Sequence, residues 1–150
     1  VQRVIEQRAA GGWRAAQVYA RLALGAAFLS AVASRLGLWQ LRLDGERFRQ
    51  FIAYTGEVNS FLPAAWAPSL AVAATIAEAA LGLCLVAGLW RRQVAGASAA
   101  LLATFGLAMA LSYGPKEPLD YSVFSASAAA LLLALAPPDS SRSDERKGLS

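Results

Sequence analysis

Glu78 lies inside an otherwise apolar run, TIAEAALGLCLVAGLW (residues 75–90). It is twelve residues from Trp66 and twelve from Trp90, so the carboxylate falls near the middle of a membrane-crossing length. An acidic group at a helix centre costs roughly 2.5–3.5 kcal/mol to insert. It therefore needs a partner, a proton or a position facing other helices. Arg21 is the expected partner, eight residues past Trp13 on an antiparallel helix. Arg35, fourteen residues later on the same face, lies close to Trp39 and is expected to snorkel to the headgroups. The row Ala74-xxx-Glu78-xxx-Gly82 lets a second helix approach closely. Two roles follow for the pair: fixing helix register, or forming a ligand-binding or proton-handling site in which Arg21 tunes the pKa of Glu78.

A second polar cluster, SYGPKEPLDYS, spans residues 112–122. Gly114-Pro115 marks a turn, Pro118 suits a first helical turn, and Glu117 and Asp120 complement a helix N-terminus. Helix initiation accounts for these residues. The functional reading places Arg35, Lys116, Asp120, Tyr121 and Ser125 around an outer pocket. The chain has no histidine, one cysteine (Cys84) and one methionine (Met109). It therefore lacks the ligand set for a bis-His haem, a His-bound copper or a Cys-bound cluster, and cannot form an internal disulfide. No metal site is expected, and Cys84 reads as a packing residue.

These residues are carried by helices. Hydrophobic residues make up 57% of the chain and charged residues 16%, with a mean hydropathy of +0.43. A soluble domain carries roughly 25% charged residues. Four segments approach the ~20 residues a span requires, at about 15–38, 67–89, 94–113 and 119–136. The first reads as a span rather than a signal peptide. The tryptophans fall just outside spans, Trp13 and Trp39 around the first, Trp66 and Trp90 around the second. The fold class expected is all-α, an integral membrane four-helix bundle. Residues 1–14 form an N-terminal segment, and 137–150 a polar tail expected to be disordered.

The first loop contains Phe48, Phe51, Ile52, Thr55, Val58 and Leu62 at helical spacing. Asp44 is a candidate N-cap, and Pro63 a helix stop. Residues 45–61 thus read as an amphipathic helix on the outer face, either shielding the bundle end or closing a pocket. Nine basic residues fall on one side (Arg3, Arg8, Arg14, Arg21, Arg91, Arg92, Arg142, Arg146, Lys147) and five on the other (Arg35, Arg42, Arg47, Arg49, Lys116). The positive-inside rule places both termini in the cytoplasm. The net charge of +4 gives no indication of nucleic-acid binding.

The segments RLALGAAFLSAVASRLGLW, AEAALGLCLVAGLWRR and KEPLDYSVFSASAAALLLA together resemble the DoxX family of small four-span bacterial membrane proteins. The resemblance covers residues 19–135 and implies an inner-membrane subunit linked to a respiratory, quinone or oxidative-stress redox complex. It implies Arg21 and Glu78 as site residues. It also implies a quinone or similar amphipathic molecule in the bundle, with redox partner proteins or a homo-oligomer around it. The residues hold no redox centre themselves, which favours a non-catalytic subunit. The alternatives are an assembly subunit without a ligand and a small proton-coupled transporter. The transporter is disfavoured because four-span multidrug transporters carry their glutamate in the first span.

Overall fold

The computed structural model describes residues 2–41, 43 and 45–136, and the side chains of residues from Gly11 onward within these. The candidate cap Asp44, the side chains of Arg3 and Arg8, Arg42 and the tail at 137–150 lie outside the described residues. Every regular element among the described residues is helical. They are α1 (Gln2–Arg35), α2 (Gly45–Val58), α3 (Ala67–Ala87), α4 (Arg91–Tyr113), α5 (Lys116–Asp120) and α6 (Val123–Leu135), with short 3-10 turns at Leu38–Gln40 and Ala64–Trp66.

The apolar helices pack in a closed circuit, α1 on α3, α3 on α4, α4 on α6 and α6 on α1. The contacts of α1 with α3 and of α4 with α6 are the most extensive. Small residues permit both. Gly106 lies beneath the Phe124 ring, and a methyl group there would sit 2.8 Å from its Cε1. Ala95 and Ala130 are fully enclosed, and the Ser127 hydroxyl donates across the helices to the Ala99 carbonyl at 2.8 Å. Small side chains bring backbones close, and an inter-helix hydroxyl bond adds to the packing where water is scarce.

Three helical stretches are long and apolar enough to cross a membrane: Gly11–Arg35, Ala64–Ala87 and Arg91–Tyr113. Their outer faces carry exposed Leu22, Val72, Ile76, Leu83, Leu107 and Leu111. Apolar surface this extensive fits lipid rather than water. Trp13, Trp39, Trp66 and Trp90 are all exposed. The expected fourth span, 119–136, is not one helix. Ser122 takes a left-handed conformation (φ 55°) and separates α5 from α6. The 13 residues of α6 extend only about 20 Å at helical rise.

The helix α1 is continuous from Gln2, and its apolar stretch starts at Gly11. The turn from α3 to α4 needs only residues 88–90. Gly88 (φ 72°) caps α3 in the left-handed region, and the Leu89 N–H reaches back to the Cys84 carbonyl at 3.0 Å.

The amphipathic helix expected in the first loop is α2. It ends at Val58, before the expected limit near Phe61. Thr55 and Val58 are buried, Phe48, Phe51 and Ile52 half-buried, and Glu46, Arg49, Gln50 and Glu57 exposed. It packs on α1, α3 and α4, across the end of the circuit opposite the Gly88 turn. Its C-terminal end is tied down by Ser112, whose hydroxyl donates to the Val58 carbonyl at 2.6 Å. Tyr113 donates to Glu57 at 3.0 Å, and the Tyr54 and Tyr113 rings stack at 6.4 Å.

Candidate functional site

The partner of Glu78 is Arg35. Its Nη1 donates to Oε2 at 2.7 Å and its Nη2 to Oε1 at 3.0 Å, a two-pronged pairing of guanidinium with carboxylate. The Glu78 side chain is 3% exposed and that of Arg35 17%, so the pair is largely withdrawn from solvent. The Phe51 ring of α2 lies under the guanidinium, 3.8 Å from its Cζ. That is cation–π geometry, stronger where water is excluded.

The expected Arg21–Glu78 pairing therefore does not form, and the reason is helix register. At the α1–α3 crossing, Gly25 is enclosed by Gly82, Leu85 and Val86, and Gly82 by Gly25 and Leu29. In this antiparallel register Glu78 is level with about Ala31. At 1.5 Å per residue, Arg35 is then about 6 Å away along the axis and Arg21 about 15 Å. Trp13 and Trp90 do not share a level, since in this register Trp90 is level with about residue 19 of α1, roughly 9 Å from Trp13. Arg21 instead folds its guanidinium over Gly88, and its Nε has no hydrogen-bond partner among the described residues. Arg35 does not snorkel. It turns inward.

Beneath α2 the helices leave a cavity of about 470 Å³. Arg35, Tyr54, Thr55, Asn59, Thr104 and Tyr121 supply its polar lining, and Ala31, Phe51, Leu70, Ala74, Leu102, Phe105, Ala108 and Met109 much of its apolar wall. The site residues expected from the sequence are distributed unevenly. Arg35 and Tyr121 line the cavity. Lys116 and Asp120 pair with each other on the exposed surface of α5. Ser125 is exposed on α6 and is not among the lining residues. Glu78 stands behind Arg35 and holds it.

Tyr54, Asn59 and Thr104 were not anticipated. Thr104 had a legible signal, a hydroxyl within an apolar run. Tyr54 had one too, since it lies three residues after Phe51 and four before Val58, on the same face of α2. Among the described residues no group of acidic or cysteine side chains is suited to hold a metal.

Burial pushes the Tyr54 hydroxyl above the usual tyrosine range. Tyr121, Glu117 and Glu57 add to the shift and Arg35 opposes it. Tyr54 thus stays a neutral hydrogen-bond donor through the physiological range. A raised folded-state pKa means that the folded form holds its proton more tightly than the unfolded form. Its stabilising contribution is complete below the unfolded value near 10 and is lost as pH rises through the folded value. Tyr54→Phe is expected to flatten the loss of stability above about pH 10 and leave stability at pH 7 little changed. Thermal unfolding in detergent across that range reads the difference. An unchanged alkaline slope would rule this assignment out.

The site and the spans define a multi-pass membrane protein with a polar-capped apolar cavity at one end. A family model described as methylamine utilisation protein MauE matches residues 13–120, and the chain belongs to that family. The resemblance to the DoxX family is thereby corrected. Its carrying features were an early Arg and Gly and a Glu-x-x-x-Gly row. The glycines among them, Gly25 and Gly82, sit at a close helix crossing, and small residues recur at such crossings whatever the family. No curated protein and no solved structure matches the chain.

Proposed function

We propose that this protein is a membrane component of a redox-linked methylamine-utilisation system, and that its cavity holds the head of a small amphipathic molecule of the quinone class. The family name supports the first half. The observation that carries the second is Arg35, a guanidinium lining an otherwise apolar cavity while clamped by Glu78. The clamp engages two of the five N–H donors an arginine carries. The remaining donors, with the Tyr54 and Tyr121 hydroxyls, suit an acceptor such as a ring carbonyl. Glu78 matches the charge of Arg35, so a neutral acceptor is favoured over an anion.

In this reading the protein is a binding subunit, with partner proteins supplying electrons. The fourth crossing in this reading is made by α5 and α6 together, broken at Ser122. The arginine-rich end beside the Gly88 turn faces the cytoplasm of a bacterial inner membrane, by the positive-inside rule. Mutual satisfaction of Arg35 and Glu78 also supports a second reading, in which the pair only fixes packing and the subunit serves assembly.

One variant separates the two. Arg35→Leu combined with Glu78→Leu removes the head anchor without leaving a lone buried charge. Binding of a short-chain benzoquinone to the purified protein is expected to weaken roughly 10- to 100-fold, the worth of one hydrogen bond to a charged donor. Equal binding by the double variant and the wild type would leave only the packing role.

A further inference from the structure

We infer that the cavity opens sideways between α3 and α4 into the acyl chains, and that its ligand is a lipid-borne molecule whose tail leaves through this gap. The inference rests on the reading of Arg35 as the head anchor.

Near the Gly88 turn, α3 and α4 are close, and Leu85 and Val94 belong to one buried cluster. Their main partners differ: α3 packs most extensively on α1 and α4 on α6, with α2 touching both. The cavity fills the space between, with Leu70 and Ala74 on one wall and Leu102 and Phe105 on the other.

Thr104 marks the opening. It lines the cavity, yet it is exposed. Its hydroxyl donates to the Ala100 carbonyl of its own helix at 2.9 Å, so that polar group is already satisfied. Thr104 is nine residues before Tyr113, about 14 Å along the axis. That depth lies within the ~30 Å hydrocarbon layer. A cavity-lining residue exposed at that level meets acyl chains rather than water. Leu107 and Ile76, on the same two helices, are also exposed. The donors, Arg35 and the two tyrosines, are supplied from the end that α2 covers. The cavity is thus polar at its capped end and apolar where it meets lipid. This polarity matches a neutral ring with carbonyl acceptors and a long alkyl or isoprenoid tail.

The test uses the full chain in lipid nanodiscs, with Thr104→Trp as the plug and Leu107→Trp as a control on the lipid surface. Two probes are titrated, a benzoquinone with an isoprenoid tail delivered in the lipid and a tail-less dimethoxybenzoquinone delivered in water. Thr104→Trp is expected to weaken the tailed probe by about tenfold or more, equivalent to roughly two methylenes no longer buried. The tail-less probe should weaken less than the tailed one, and Leu107→Trp, outside the lining, should change neither. Unchanged binding of the tailed probe by Thr104→Trp would overturn the lateral opening. Equal weakening of both probes would also overturn it, because residue 104 would then act on the ring site and not on the tail. If wild type binds neither probe, the head-anchor reading itself fails and the opening falls with it.

Discussion

Arg35→Leu alone is expected to destabilise the folded protein by about 3–5 kcal/mol, the usual cost of stranding one member of a buried ion pair. Glu78 is the member left behind. Its side chain is 3% exposed, and both of its oxygens accept from Arg35. Without the guanidinium the carboxylate must take up a proton or remain charged among apolar side chains. Either outcome costs free energy in proportion to its burial. Loss of the guanidinium also removes the cation above the Phe51 ring, which helps hold α2 over the cavity. The double variant Arg35→Leu/Glu78→Leu is expected to recover most of the loss, because neither charge is then stranded. Thermal unfolding of the wild type, both single variants and the double variant closes a mutant cycle. Additive single costs would show that the two residues are not coupled, and the account of the site given above would then be wrong.

Gly25→Leu should have a comparable effect by a different route. A first side-chain carbon at Gly25 would sit 2.8 Å from Val86 Cγ2, 3.0 Å from the Gly82 carbonyl oxygen and 3.2 Å from Leu85 Cβ. The valine methyl can rotate away, but the backbone carbonyl moves only if α1 and α3 separate. Overpacking of this kind costs about 1–3 kcal/mol, and a leucine forces the larger separation. The same separation draws Arg35 away from Glu78, so quinone binding should weaken along with stability. Gly11→Ala provides the comparison. Its site has no atom within 4 Å, so the substitution should stabilise α1 by up to about 1 kcal/mol through helix propensity. Thermal unfolding and short-chain benzoquinone binding on the two variants test both statements. If Gly25→Leu matched wild type in both, the close crossing would not be what sets the register.

The close crossing also explains where reading the sequence succeeded and where it did not. Periodicity and hydropathy are local properties. They identified the apolar helices and the amphipathic α2, because each needs only the residue types along its own length. The carboxylate at Glu78 was visible as a group needing a partner, since its cost comes from its surroundings within one helix. Which arginine served it was not visible. Arg21 and Arg35 lie on one face of α1, and tryptophan positions implied that Arg21 was nearer in depth. Helix register depends on how Gly25 and Gly82 interlock, and interlocking is a property of two surfaces, not of one sequence stretch. The same holds for the break at Ser122. Nothing in KEPLDYSVF requires a left-handed residue there, and the structure ends α5 at that point with the Ser122 N–H donating back to the Leu119 carbonyl. The cavity lies further still from the sequence. Tyr54, Thr104 and Tyr121 are far apart in the chain, and they meet only because α2 crosses the end of the helices and α3 diverges from α4. The sequence alone thus determined the membrane-spanning character, the covering helix and the need to neutralise Glu78. Tertiary structure alone decided the partner and the space beneath α2, because both arise from the relative placement of helices already formed.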